Sequence, residues 1–135
     1  MTFSIIDIGR TGAGFSRYWL DNVAHNLANV NTVRPGDEEP FRARVVEARA
    51  LTSQDGTGAF GVGVADVHDQ AGDPMRVYDP GNPLADEGGY VNMPVVDMPA
   101  EMVNLIQAQR SYQLSMKVIQ SGHEAYQSAL RLGNR

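Results

Sequence analysis

The feature that most constrains this chain is an apolar stripe along its last third. From Met98 onward the stripe advances by alternating steps of four and three residues, the heptad spacing of a helix that packs lengthwise on another helix. A helix of this length measures roughly 50 Å, too long to hide the stripe inside a compact 135-residue domain. The stripe therefore needs a partner, and its residues are Met98, Met102, Leu105, Gln109, Tyr112, Met116, Ile119, His123, Tyr126 and Leu130.

Charge is distributed unevenly along the sequence. Residues 1–32 are neutral overall, residues 33–97 carry five arginines against twelve acidic residues, and residues 98–135 have a net charge of +2. The total of −5 argues against a nucleic-acid binder, which needs a basic surface. The absence of cysteine excludes disulfides and thiolate metal sites. No apolar run is long enough for a membrane span, and we expect no Sec-type signal peptide.

Residues 4–29 are predicted to form a first helix. Apolar residues recur through this segment at three-and-four spacing, and Ser4 is suited to cap its start. Pro35-Gly36 stops any continuation of the helix. Both ends of the chain therefore carry apolar helices that can satisfy each other.

Residues 33–97 are predicted to form a small β segment, because they hold six of the seven prolines and most of the glycines. Strand patterns occur at 41–51 with a change of register, at 62–67, at 75–77 and at 90–93, with a strong turn at 79–83 and a flexible connection at 53–63.

The last helix is predicted to begin at the cap Asp97 and to run to about Arg131, closed by Gly133. The expected fold is mainly α with a small β insertion. Its N-terminal helix (1–32) and C-terminal helix (98–135) form an antiparallel, coiled-coil-like pair with the β-rich segment 33–97 between them. Polar residues beside the stripe are mostly uncharged amides and hydroxyls, which favours packing against other chains on more than one face.

Two patterns resemble ligand sites but fit them poorly. The glycine-rich run Gly9–Gly14 lacks both the Gly-Lys-Ser/Thr ending and the preceding strand of a phosphate-binding loop, so close helix packing is the preferred interpretation. The group Asp66, His68, Asp69 and Asp73 matches neither a calcium loop nor a zinc site, so an acidic, solvated turn is preferred.

Catalysis is not indicated by the histidines. His25 and His123 can approach each other if the terminal helices pair, but neither has a Ser, Cys or carboxylate placed as a triad requires. We therefore expect no catalytic, cofactor-binding or metal residues, and no small-molecule substrate.

Asparagines are concentrated at the end of the first helix, where they weaken helicity. Two interpretations remain open. The asparagines either accompany fraying and a helix C-cap, or they form an amide ladder that bonds to a neighbouring chain. The residues are Asn22, Asn26, Asn29 and Asn31.

Several motifs resemble those of bacterial flagellar axial proteins, the family of rod and hook subunits. The segment at 22–32, NVAHNLANVNT, is similar to the Asn-rich signature of that family. The segments PFRAR at 40–44 and YDPGNPLAD at 78–86 are similar to its short proximal rod subunits, and the likeness continues in order to residue 113. Residues 9–20 depart from the family pattern, which usually has an Ala- and Gln-rich turn there.

The resemblance implies a structural, non-enzymatic subunit of the proximal rod of the flagellar basal body, serving motility. Such subunits assemble into a helical tube whose inner wall is made by the terminal helices, which lines the export channel and transmits motor torque to the hook. The implied partners are copies of the same chain, other proximal and distal rod proteins, the rod-to-membrane-ring adaptor and the export gate. The implied location is the rod across the periplasm, reached through flagellar type III export without a cleaved signal.

The alternatives are another axial rod subunit or, less in keeping with the Asn-rich segment, a small helical adaptor that dimerises through its C-terminal coil. A metal enzyme built on the acidic group is a third, weaker alternative. The residues expected to contact neighbouring subunits are Asn22, Asn26, Leu27, Asn29, Met102, Leu105, Ile106, Gln109, Tyr112, Met116, Ile119, His123, Tyr126 and Leu130.

Overall fold

The computed structural model of the chain describes residues 5–53 and 58–133, and two terminal helices are its longest elements. Helix α1 spans Ile5–Ala28 and helix α2 spans Met98–Gly133. The predicted arrangement of two helices with a small β region between them is confirmed, and the predicted cap Ser4 lies outside the described residues. The strands are β1 (Arg34–Pro35), β2 (Arg44–Thr52), β3 (Ala59–Asp69), β4 (Met75–Tyr78) and β5 (Tyr90–Met93).

Within the described residues, the strands form two small sheets. One has the order β1-β5-β4 with antiparallel neighbours, and its register places Val91 opposite both Pro35 and Val77. The other pairs β2 with β3.

The expectation of a flexible connection at 53–63 is wrong for its second half, because β3 begins at Ala59. Bulky residues at 60, 62 and 64 alternate there with glycines, a period of two that suits a strand despite the glycine content. Residues 54–57 of that stretch lie outside the described part of the chain.

The chain divides into two compact units of opposite net charge. The first, here called the basic unit, comprises Met1–Leu20, Glu47–Asp66 and Ile106–Arg135. The second, the acidic unit, comprises Asp21–Val46 and Val67–Leu105. Counted over these segments of the sequence, the net charges are +2 and −7.

Small residues bring α1 and α2 together inside the basic unit. Ser16 Oγ donates a hydrogen bond to Ser111 Oγ at 2.8 Å. A Cβ added at Gly9 would lie 2.8 Å from Ile119 Cγ1, and Gly122 is buried against the first turn of α1. Gly9 of α1 contacts Ile119 of α2, whereas the later residue Ser16 contacts the earlier residue Ser111. The two helices therefore run in opposite directions within this unit.

The core of the acidic unit is small and joins loops to strands through the backbone. Val23, Ala43 and Val91 are buried. The Ala43 N–H donates to the Val95 carbonyl at 3.2 Å, and the Gln70 N–H donates to the Ala43 carbonyl at 2.7 Å. Because few apolar side chains are buried among its described residues, hydrogen bonds contribute much of the stability of this unit.

Asn92 is the buried polar anchor of the three-stranded sheet. Its Nδ2 donates to the carbonyls of Pro35, Gly36 and Glu38 at 3.3, 3.2 and 2.8 Å. Its Oδ1 is buried without a partner among the described residues. The three acceptors therefore dictate the orientation of the amide, which fastens β5 to the turn after β1.

Asp97 caps α2, as the sequence predicts, since its Oδ1 accepts the Ala100 N–H at 3.1 Å. Replacing Asp97 with alanine (Asp97→Ala) is expected to lower the free energy of unfolding by about 1 kcal/mol, because that donor has no other partner within the helix. Asp97→Asn keeps an acceptor and should cost only a few tenths of a kcal/mol, measured by urea unfolding followed by circular dichroism. Equal losses in the two variants would contradict a capping role and point to the charge.

Candidate assembly surfaces

Asn26 is used inside the subunit and is 1% exposed. Its Oδ1 accepts the Arg44 N–H and its Nδ2 donates to the Arg44 carbonyl, both at 2.9 Å. The same Nδ2 donates to Glu101 Oε2 at 3.2 Å, and Glu101 is also buried. One side chain thus joins α1, the start of β2 and the first turn of α2 within the acidic unit.

Asn29 directly follows α1 and caps its C-terminal end. Its Nδ2 donates to the His25 carbonyl at 2.9 Å, and its Oδ1 accepts from Thr32 Oγ1 at 3.2 Å. Asn22 and Leu27 are half-buried, and Asn31 is exposed. Of the two interpretations left open by the sequence, helix capping describes the bonds of Asn29, while contact with a neighbouring chain stays a prediction.

The face of α2 that meets α1 differs from the expected one. In the basic unit, the contacts of the described residues place Ser111, Ser115 and Gly122 on that face together with Ile119, which belongs to the stripe. Of the stripe, Ile119 and Leu105 are half-buried and the others are exposed. The expectation that the stripe as a whole covers residues 4–29 is wrong, because small residues beside the stripe allow a closer approach of the two backbones.

Apolar side chains remain exposed along the full length of α2. Leu114 is 62% exposed and Tyr126 is 61% exposed. Exposed apolar side chains in this number on one helix exceed the scattered apolar exposure of a monomer, a pattern typical of interaction surfaces. Among the described residues of α2 its large members are Met98, Met102, Val103, Ile106, Tyr112, Leu114, Met116, Val118, Tyr126, Leu130 and Leu132.

An open apolar groove of about 610 Å³ lies in the basic unit, between α1, β3 and α2. Gly9, Gly12 and Ser115 form part of its lining, and their small size makes room for it. Leu114 and Val118 supply apolar wall on α2. This surface is here called the groove, and it is wide enough to accept several side chains of a partner.

The polar positions of the stripe are exposed. Gln109 and His123 are both exposed, and His123 borders a smaller depression of about 430 Å³ together with Met116, Ile119 and Glu124. Mixed polar and apolar lining of this kind suits a contact between chains, where a polar position can fix the register.

The glycine run at 9–14 lies in the interior of α1, and packing explains two of its glycines. Gly9 and Gly12 face α2, whereas a Cβ at Gly14 would meet nothing within 4 Å. Close helix packing is therefore confirmed at the first two positions and wrong at the third. An isolated glycine in a helix interior lowers helix stability, and nothing in the structure explains Gly14.

The acidic group at 66–73 does not form the predicted turn, because Asp66, His68 and Asp69 belong to β3. Pairing of β3 with β2 overrides the turn-forming tendency of the aspartates. Within residues 5–53 and 58–133, no three His, Asp or Glu side chains converge as ligands of a metal ion would.

Asp86 holds the connection between β4 and β5, here called the 79–89 loop. Its Oδ1 accepts the N–H groups of Gly88 and Tyr90, each at 2.9 Å, and Oδ2 pairs with Arg76. The hydrogen bond from Tyr90 is the main cause that lowers the pKa of Asp86, with Gly88 and Arg76 adding to it against the effect of desolvation. The pattern of an aspartate followed two residues later by glycine is the sequence signal for this turn.

The protection of the 79–89 loop is expected to depend on pH through Asp86. Because folding lowers the pKa of this carboxyl, its stabilising contribution is present above the usual aspartate pKa of about 4 and is lost as pH falls below it. Amide exchange of Gly88 and Tyr90 should therefore accelerate in acid relative to β3 amides. Asp86→Asn should remove this pH dependence, and an unchanged acid response in that variant would contradict the assignment.

No helix in the described part of the chain combines the length and apolar character that crossing a bilayer requires.

Comparison with known proteins finds relatives over nearly the whole chain. A family model described as flagellar basal body rod FlgEFG protein C-terminal matches residues 87–132, which include β5 and nearly all of α2. The flagellar basal-body rod protein FlgC of Escherichia coli O6:H1 is 39% identical, with 96% of each chain covered. The chain belongs to the FlgC family. Two further FlgC proteins, from Salmonella typhimurium and Bacillus subtilis, are 38% and 30% identical over 96% and 97% of each chain.

As an FlgC-family member, the chain is a structural subunit of the flagellar basal-body rod. This confirms the family and the structural role in the rod that the sequence motifs imply. The relatives, which match over nearly their whole length, are flagellar basal-body rod proteins.

Proposed function

We propose that this FlgC-family subunit is built into the proximal rod through the exposed faces of α2. The observation that carries the proposal is the run of large apolar side chains from Met98 to Leu132 that the subunit itself leaves uncovered. At about 1.5 Å per residue, the 36 residues of α2 extend over roughly 54 Å. A helical assembly covers such a long face by stacking many similar contacts.

The terminal segments 1–32 and 98–135 serve as a coiled-coil-like pair that faces the inside of a helical tube, with segment 33–97 further out. Opposed helix directions and close small-residue contacts in the basic unit support this pairing. Of the residues predicted from the sequence, Asn26 and Ile119 act inside the subunit, and the others contact neighbouring subunits. The same helices line the export channel.

The partners in this proposal are other copies of the chain, proximal and distal rod proteins, the rod-to-membrane-ring adaptor and the export gate. The chain reaches the periplasmic rod by flagellar type III export, and the assembled rod transmits motor torque to the hook. Membership of the FlgC family and the uncovered length of α2 support these roles. Many modest contacts repeated along a rod resist torsion without any single strong bond.

Negative charge introduced on the exposed faces of α2 tests the proposal. The double variant Met102→Asp/Tyr126→Asp changes two exposed side chains, so the subunit's own stability should change by no more than about 0.5 kcal/mol per site. Its amount in isolated basal bodies should fall by at least about tenfold, because an unpaired carboxylate buried between chains costs several kcal/mol. Motility should fall in parallel.

Thr52→Asp/Ala71→Asp is the matched control, since both residues are exposed outside α2 and the variant adds the same two charges. It should enter basal bodies at the normal level. Normal incorporation of the α2 double variant would contradict the proposal. A stable, discrete dimer of the purified chain in sedimentation experiments would instead favour the adaptor function.

A further inference from the structure

Opposite net charges on the two units suggest how copies of the chain contact each other. The basic unit carries +2 and the acidic unit −7. Two basic units therefore repel each other weakly and two acidic units repel each other strongly. The basic unit of one copy attracts the acidic unit of another. A contact between unlike surfaces is heterologous, and such contacts generate rings or open helical assemblies, as a rod requires.

The groove is the receptive surface of the basic unit. Its lining is largely apolar, and among the described lining residues Arg110 is the one ionisable side chain. Arg110 is exposed and makes no ion pair with a described residue. An occupant that suits the groove therefore presents apolar side chains together with a carboxylate.

The acidic unit presents such a combination at the 79–89 loop and its first flanking residue. Tyr78 is 64% exposed and Leu84 is also exposed, although both are large and apolar in most of their surface. Asp79 and Glu87 are exposed carboxylates on the same connection. The apolar groups of the loop therefore complement the apolar lining of the groove, and its carboxylates complement Arg110.

The loop is also held in one conformation before any contact is made. Asp86 fixes the Gly88 and Tyr90 N–H groups, the Asp79 N–H donates to the Gly89 carbonyl at 2.9 Å, and Tyr78 packs edge-on against Tyr90 with ring centroids 5.2 Å apart. A surface loop that is already ordered loses little conformational entropy when it binds.

We propose that the 79–89 loop of one copy docks in the groove of a second copy. Leu84 and Tyr78 enter the apolar part of the groove, and Asp79 or Glu87 pairs with Arg110. The inference rests on the proposed function, because it needs copies of the chain to meet in the rod. It goes further by naming the two surfaces and their polarity.

Cross-linking tests the contact cleanly, since the natural chain contains no cysteine. Leu84→Cys and Leu114→Cys are placed on two copies with different epitope tags, produced together, and treated with oxidant or a short bismaleimide in isolated basal bodies. We expect a cross-linked heterodimer carrying both tags. The control pairs Leu84→Cys with Met116→Cys, an exposed position on another face of α2, and should give little product.

A charge swap tests the pairing. Arg110→Glu in the groove copy should lower the cross-linked yield by about fivefold, the factor that corresponds to an ion pair of ~1 kcal/mol. Asp79→Arg/Glu87→Arg in the loop copy should restore it. A yield that does not respond to either change would overturn the role of charge in the contact.

The results separate the two proposals. If both tags are found in basal bodies but the Leu84–Leu114 pair gives no more product than the control pair, the docking inference is wrong and the proposed function stands. If neither tag is found there, the proposed function is wrong. The same cysteine pairs on the concentrated purified chain then decide the docking inference, which fails if the heterodimer does not exceed the control.

Discussion

Gly9→Leu is expected to lower the free energy of unfolding of the chain by about 2–3 kcal/mol. Gly9 is buried, and an added Cβ would lie 2.8 Å from Ile119 Cγ1 and 3.3 Å from the Ser115 carbonyl oxygen. The side chain of Ile119 can rotate away, but the backbone oxygen cannot move without displacing α2. Leucine therefore forces the two helices of the basic unit apart, as measured by chemical unfolding followed by helical circular dichroism.

Gly14→Leu is the matched control on the same helix, because Gly14 is exposed and a Cβ there meets nothing within 4 Å. It should raise the free energy of unfolding by about 0.5–1 kcal/mol, since leucine is a better helix former than glycine. Opposite signs for the two variants would locate the effect in the contact between helices. A gain at both positions would contradict the close packing of Gly9.

Asn26→Asp is expected to lower the free energy of unfolding by about 3–5 kcal/mol at pH 7. The substitution preserves shape but replaces the Nδ2 donor with an oxygen. That oxygen faces the Arg44 carbonyl and the buried Glu101 carboxylate, which now lack their donor. The loss should appear in thermal or urea unfolding, and Asn31→Asp, with the same chemistry at an exposed position, should cost less than about 0.5 kcal/mol.

Glu101→Gln provides the second arm of this test. Its amide can donate to the carboxylate introduced at position 26, so the double variant should recover about 1–2 kcal/mol relative to Asn26→Asp alone. Additive losses in the double variant would contradict the direct bond between the two side chains and would place the effect of Asn26 in its contact with Arg44.

Local signals in the sequence located most elements of the fold. Periodic apolar residues predicted the two helices to within one or two residues of their observed ends, and Asp97 was recognisable as a cap. The glycine content at 59–63 led to the wrong prediction of a flexible connection, because the alternation of glycines with bulky residues favours a strand there. The aspartates at 66–69 led to the wrong prediction of a turn, because pairing of β3 with β2 outweighs the preference of single residues.

Contacts between segments that are distant in sequence could not be predicted from local patterns. The side chain of Asn26 was one of four similar asparagines in sequence, and its bonds to Arg44 and Glu101 exist only because three segments of the acidic unit converge on it. Asn92 gave no signal at all, since the three carbonyls it holds lie more than fifty positions away.

What the sequence by itself determined is the existence of a long helix with an apolar stripe, the β insertion and membership of the rod family, because each depends on local periodicity or ordered motifs. Only the tertiary structure decided which face of α2 lies against α1. Small residues allow the helix backbones to approach more closely than large apolar ones do, so Ser111, Ser115 and Gly122 are covered inside the subunit. The apolar stripe is left mainly on the outside, where a neighbouring chain can cover it.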